Sequence, residues 1–483
     1  MNSLDNSLKT KMFSGFLWRF TEKAGANVIR FVVSIILARL LAPDIFGIFA
    51  VAIVFTGFSD LIVESSFGMS LVQKENADRL DFSSVFYFTT AVALILYILL
   101  FFAAPVIANF YERPEMTPIM RVMNLRLFIS GFGTAQTAYV NRNMLFKRFF
   151  WSTGGGALAS AAIALIFAYA GFGVWALVAQ NLTSAVVSMI ILWFTVNWRP
   201  TPTFSWCRMK SLFSYGWKLL LSNIVFRIYT ELRTLLIGRV YSPSDLAFYT
   251  RGNSFPALIS DITTITIGKI FFPLISKKQN SAGDMKKMMQ QTISVTSYMI
   301  IPMMAGLAVT AEPLVLLLLT DTWIEAVPFL QITCIYFALF PIHHINIQAI
   351  NAVGRSDITL KLRVVKAITD IGVLLTVMRY GVAAIALSFA LTSVLFLPFI
   401  LLPISKLINY RLPEQIADIM PYIIMSLVMG AAIYPIRLLQ MPDVLTILLQ
   451  IAAGAGIYLL LSIIFKLKAF HYILNTVKQS FRK

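Results

Sequence analysis

The chain has 483 residues, 58% of them hydrophobic and only 13% charged, about half the charge of an ordinary soluble domain. Its 40 Lys and Arg against 22 Asp and Glu would point a soluble chain toward nucleic acid. Here that charge divides between loops, where it sets topology, and spans, where it is expensive. Soluble enzymes and nucleic-acid binders are excluded, and an all-α polytopic membrane protein of about 14 transmembrane helices is expected.

In chain order, apolar runs between polar breaks predict spans at 13–41, 45–71, 83–109, 116–140, 150–171, 174–196 and 212–241. They continue at 246–275, 288–318, 323–353, 364–380, 382–404, 417–438 and 443–466. Short connections such as Gly171-Phe172-Gly173 and Tyr380-Gly381 force antiparallel neighbours, and no loop is long enough for a fused catalytic domain. Arg19, Glu22 and Lys23 interrupt the first apolar stretch, so no cleaved signal peptide is expected. Of the loop basic residues, all but Arg113, Arg379 and Arg437 fall on the side of the N-terminus, which predicts that both termini are cytoplasmic. The tail from Lys466 spaces Phe470, Ile473, Leu474, Val477 and Phe481 at helical intervals among basic residues. Such a segment either lies on an anionic leaflet or is simply a solvated basic end.

An internal repeat appears at a shift of 200 residues. Phe13-Ser14 then falls on Phe213-Ser214, Arg39 on Arg239, and Pro43 on Pro243, while Asp60 lies one position off Asp261. Six spans per copy make the repeats parallel, which predicts two lobes around a central path. The expected organisation is an N-lobe over 1–205, a C-lobe over 206–404, two further helices over 405–466 and a basic amphipathic cytoplasmic tail over 467–483.

Within the spans bases outnumber acids, so the expected cavity is cationic. On the first span Arg19, Glu22, Lys23, Asn27, Arg30 and Ser34 share one helical face, and on the seventh Arg227, Glu231 and Thr234 do the same. Snorkelling toward the interface accounts equally well for Arg19, Arg39, Lys218, Arg239 and Lys269. Arg30 and Arg227 lie deeper and are the first candidates to line an anion path, with Lys23 and Arg19 near its inner mouth and Arg251 in the second lobe. Asp60, Glu64, Glu231, Asp261 and Asp370 are the candidate ion-coupling acids. Neutralising nearby arginines is the plainer role for Asp60, Glu64 and Asp261, and taking up protons or sodium is the alternative. His343-His344 can titrate near neutral pH, although packing in a polar cavity explains them as readily. Gly154-Gly155-Gly156 predicts close helix packing, and Pro302, Pro313 and Pro341 can kink their helices. No nucleotide-binding loop, metal motif or nucleophile–base pairing stands out, and Cys207 and Cys334 are isolated. No enzyme activity, cofactor or metal is expected.

The run Arg39-Leu40-Leu41-Ala42-Pro43-Asp44-Ile45-Phe46-Gly47 resembles the turn between the first two helices in one branch of a known transporter superfamily. Phe67-Gly68 before Leu71-Val72-Gln73, Asn141-Arg142 before Phe146-Lys147, Tyr249-x-Arg251, Phe272-Pro273-Leu274-Ile275-Ser276 and Ala352-Val353-Gly354-Arg355 carry the same likeness. The chain is thereby similar to the polysaccharide-transport branch of the multidrug/oligosaccharidyl-lipid/polysaccharide exporter superfamily, and looks closest to colanic-acid, exopolysaccharide and lipopolysaccharide exporters. The resemblance implies a flippase for undecaprenyl-diphosphate-linked oligosaccharide units in the bacterial cytoplasmic (inner) membrane. It also implies V-shaped lobes that alternate access, membrane lipid around the carrier tail, and a polysaccharide polymerase and chain-length regulator as candidate partners. A cation-coupled, drug-type antiporter of the same superfamily is the alternative, against which the excess of intramembrane bases argues.

Overall fold

A computed structural model describes residues 18, 21–22, 25–74, 77–277 and 281–480. Among the described residues there are helices and no strands. After α1 (25–40) come α2 (Pro43–Gln73), α3 (Arg79–Phe110), α4 (Met116–Met123), α5 (Arg126–Arg142), α6 (Phe146–Tyr169) and α7 (Val174–Thr195). The second series is α8 (Trp206–Val240), α9 (Pro243–Lys277), α10 (Ala282–Val309), α11 (Ala311–Leu318), α12 (Ala326–Ala352), α13 (Ser356–Val377) and α14 (Val382–Ile408). Then follow α15 (Leu412–Ile433), α16 (Asp443–Ile464) and α17 (Lys468–Ser480). Nine stretches among the described residues are long and apolar enough to cross a membrane. The chain is a multi-pass membrane protein.

Over the described residues each expected apolar run falls on a helix, but two of the runs are broken. The fourth divides at Asn124-Leu125 into α4 and α5. Asn124 is wholly buried there, and its Oδ1 accepts a 3.1 Å hydrogen bond from Thr56 Oγ1 of α2. The ninth divides at Thr310, three residues before Pro313, whose ring cannot continue an unbroken ladder. Each series therefore carries an eight-residue helix in fourth place, α4 and α11, and the repeat is visible in the order of elements.

Packing divides the chain at Ala247/Phe248 into two compact units. In the first unit α8 lies along α2. At one end of that unit, Pro43 opens α2 with Asp44 in its first turn, a favourable N-terminal start. Nearby, Ser242 and Asp245 cap α9 reciprocally. The two turns touch: a Cβ on Gly47 would stand 1.8 Å from the Pro243 carbonyl oxygen, and one on Gly238 2.6 Å from Val51 Cγ2. Only glycine allows that approach. Arg239 of α8 pairs with Glu112 at 3.0 Å, and the Tyr111 hydroxyl donates to the Leu235 carbonyl at 3.2 Å.

At the opposite end of the first unit the wholly buried Asp81 carboxylate receives Lys74 Nζ at 2.7 Å and Arg208 at 3.3 Å. Asp78 and Asp81 form a reciprocal cap on α3, a motif worth about 1 kcal/mol. The backbone hydrogen bond from Asp81 is the main cause holding the Asp78 carboxyl below its usual range. Between the ends, α6 and α7 meet through the glycine run: a Cβ on Gly156 would lie 2.1 Å from Ser188 Oγ, and Ser152 and Ser188 exchange hydroxyl-to-carbonyl hydrogen bonds.

In the second unit Phe271, Ile293, Ile342, Ile404, Tyr422 and Tyr458 belong to one apolar cluster. The start of the tail docks on it, with Leu467 and Ala469 buried and Phe470 facing Tyr298. Pro302 and Pro341 lie inside α10 and α12.

Candidate functional site

The first unit gathers ionisable side chains that sequence separation keeps apart. Arg126 opens α5 directly after the Asn124 break, which turns its side chain toward α2. Its Nε stands 2.9 Å from Asp60 Oδ2, and its Nη1 donates to Asn181 Oδ1 of α7 at 2.7 Å. One turn further along α5, Ser130 Oγ donates to the other Asp60 oxygen at 2.8 Å. Glu64, a turn beyond Asp60, interacts with Ser130 and feels both Asp60 and Arg126. On α8, Arg227 pairs with Glu231 at 3.2 Å. Its guanidinium lies against Gly57 of α2, where any Cβ would come within 2.7 Å of Nη2. The absent side chain at 57 lets Arg227 reach the level of Asp60, with which it interacts electrostatically. Arg30 of α1 is exposed and lies within Coulombic reach of Arg126 and Glu22. Glu22 is buried and accepts a 2.9 Å hydrogen bond from Thr153 Oγ1.

Chemically, Arg126 and Arg227 are guanidinium groups already provided with counterions, Asp60 and Glu231. Arg126 and Arg227 keep 33% and 38% of their side chains accessible, so an incoming anion can compete with the carboxylates. Planar guanidinium forks suit phosphate oxygens, which they bind two at a time.

Of the expected site residues, the structure thus brings together Arg30, Arg227, Asp60, Glu64 and Glu231. Arg19 and Lys23 lie outside the described residues. Arg251, Asp261 and Asp370 belong to the second unit. Arg251 is nearly buried, its guanidinium carbon 5.3 Å from the Trp323 ring centroid, while Asp261 is exposed. Asp370 is 7% exposed and pairs with Lys366.

The sequence singles out neither Arg126 nor Lys366 as a member of a polar site. The spacing of Lys366 and Asp370, four apart on one helix, was the available signal. For Arg126 the partner is 66 positions away, and no local pattern announces it. Among the described residues no group of three His, Cys, Asp or Glu side chains could hold a metal ion.

Residues 36–328 match the polysaccharide biosynthesis protein family. The chain belongs to that family. Within it, the succinoglycan biosynthesis transport protein ExoT of Rhizobium meliloti (strain 1021) is 27% identical over 74% of this chain and 72% of its own length. The teichuronic acid biosynthesis protein TuaB of Bacillus subtilis (strain 168) is 24% identical over 94% and 96%. Among solved structures, the lipid II flippase MurJ in an inward closed conformation superposes with a TM-score of 0.73 at 15% identity, over 92% of this chain and 98% of that one. This family member therefore has the MurJ fold, and the likeness to polysaccharide exporters read from its motifs is the family that the match shows.

Proposed function

We propose that the protein flips undecaprenyl-diphosphate-linked oligosaccharide units from the inner to the outer leaflet of the bacterial cytoplasmic membrane, for assembly of an exopolysaccharide or O-antigen type of polymer. It acts by alternating access between the expected lobes, with cytoplasmic termini, as a transporter and without catalysis. The observation that carries this reading is the guanidinium cluster on α1, α5 and α8, set within the membrane in a chain of the polysaccharide biosynthesis family. The name of ExoT, a transport protein, and that of MurJ, a lipid-linked substrate flippase, support the same step.

In this mechanism the diphosphate enters as a competing anion. It replaces Glu231 on Arg227 and Asp60 on Arg126, while Arg30, with Arg19 and Lys23 toward the inner mouth, receives the remaining charge. Exchange of one counterion for another keeps the cost of binding low, because the guanidinium groups never face the bilayer unneutralised. The polyprenyl tail stays in lipid. A polymerase and a chain-length regulator are the partners that would receive the product.

The test is translocation in proteoliposomes. A labelled undecaprenyl-diphosphate oligosaccharide is placed in both leaflets, and an external glycosidase reports accessibility. Protein-dependent loss of the protected pool is expected. A pool that stays protected, with or without a proton or sodium gradient, overturns the reading and favours the small-molecule antiporter.

A further inference from the structure

The last acid of the chain is Asp443, and after it come five Lys or Arg and no Asp or Glu. The membrane-crossing length of α16 ends at Ile464, and Lys466 and Lys468 follow directly. Ile463, Ile464 and Phe465, the last side chains before the lysines, are all exposed. α16 closes on a Schellman turn, in which Leu467 N donates to the Ser462 carbonyl at 3.1 Å and Lys466 N to the Ile463 carbonyl at 3.2 Å. Lys466 takes a φ of 49° there, in the left-handed region where glycine is the ordinary residue and a Cβ is strained. A lysine at a place suited to glycine points to a use for its side chain.

Beyond the turn one face of α17 is held on the second unit. Leu467 and Ala469 are buried, and the Phe470 ring stands 6.4 Å from that of Tyr298 on α10. Lys468, His471, Tyr472 and Leu474 remain exposed on the other face. Neither Lys466 nor Lys468 has a carboxylate partner among the described residues. Acids on α15 are engaged elsewhere: Glu414 pairs with Lys286 at 2.6 Å, and Asp418 accepts from Tyr410 at 2.6 Å and from Gln290 at 3.2 Å.

We propose that the turn at Lys466 and the outer face of α17 form a binding surface for an anionic phospholipid, with its phosphate held by Lys466 and Lys468 and its acyl chains along Ile464 and Phe465. Charge complementarity selects this occupant. Both lysines stand just past the end of a span, the depth at which lipid phosphates begin. An acidic protein answers the lysines alone, whereas a phospholipid answers the lysines and the exposed apolar side chains beside them. The inference concerns the lipid around the protein and holds whatever the chain transports.

The test is hydrogen–deuterium exchange of the full chain in nanodiscs of phosphatidylcholine, with and without phosphatidylglycerol. In the wild type the amides of 468–474 should exchange about tenfold more slowly when phosphatidylglycerol is present, because a ligand on the docked helix opposes its local opening. Lys466→Gln/Lys468→Gln should lose that slowing and Lys466→Arg/Lys468→Arg should keep it. Lys466→Gly, which relieves the backbone at the turn, should protect α17 at least as well as the wild type in phosphatidylcholine, yet respond less to phosphatidylglycerol. That pattern separates lost binding from lost folding. No slowing in the wild type means a merely solvated basic end and overturns the proposal. Full slowing in the Gln double variant or in Lys466→Gly overturns it as well, since the lysines are then not the site. Equal slowing by soluble polyglutamate in phosphatidylcholine nanodiscs assigns the surface to an acidic protein and overturns the lipid assignment.

Discussion

In the first unit Arg126 and Arg227 share Asp60 and Glu231 across α2, α5 and α8, with a third or more of each arginine side chain still accessible. In the second, Lys366 and Asp370 keep only 17% and 5% of their side chains accessible and are roofed by aromatic rings. The contrast teaches what each site can exchange. An open guanidinium pair can trade its carboxylate for a phosphate, since water and ligand reach both partners. An ammonium pair whose carboxylate is only 5% accessible gives a ligand far less access.

The largest effect that would break this contrast is on stability. Lys366→Met strands a buried carboxylate, which costs about 3–5 kcal/mol when one member of such a pair is removed. Thermal unfolding in detergent should register that loss, and Lys366→Met/Asp370→Leu should recover most of it, because removing both charges together is often neutral. No recovery in the double variant would mean that the site is not a simple sealed pair.

Next comes function in the open cluster. Arg126→Gln should lower flipping on the order of a hundredfold, equivalent to roughly 3 kcal/mol of barrier, while membrane insertion, judged by expression and monodispersity, is kept. An unchanged rate would remove Arg126 from the headgroup path. A smaller loss is expected at the meeting of the two turns. Gly47→Ala forces its new methyl against the Pro243 carbonyl, an overpacking worth about 1–3 kcal/mol, and the melting temperature should fall accordingly.

The least effect belongs to a pair outside the membrane. The hydrogen bond from Arg355 holds the Asp357 carboxyl down to about 2. A carboxyl lowered in the folded state stabilises above its ordinary range near 4 and loses that contribution as pH falls toward about 2. Both groups are exposed, so Arg355→Ala should leave the neutral-pH melting temperature nearly unchanged. Its difference from wild type should vanish in acid. A gap that widened on acidification would contradict the sign.

The helices were legible because apolar runs between charged breaks leave few alternatives in a bilayer. The break at Asn124 was not, because the partner of its buried amide oxygen, Thr56, lies on another helix. Arg30 and Arg227 were legible as deep charges on polar stripes. The pairing of Arg126 with Asp60 was not, because the two stand 66 residues apart in the chain.

The spacing of the pairs also has a consequence for how the chain enters the bilayer. Arg227 and Glu231, like Lys366 and Asp370, stand four residues apart on one helix. Each pair can close as soon as its own helix winds, before any neighbour has arrived, and a lone charge at mid-bilayer would otherwise cost about 2.5–3.5 kcal/mol on insertion. Arg126 has no such local partner and must wait for α2, which precedes it in the chain and is already in place. Biogenesis therefore never has to hold any of these cations in lipid ahead of the carboxylate that neutralises it.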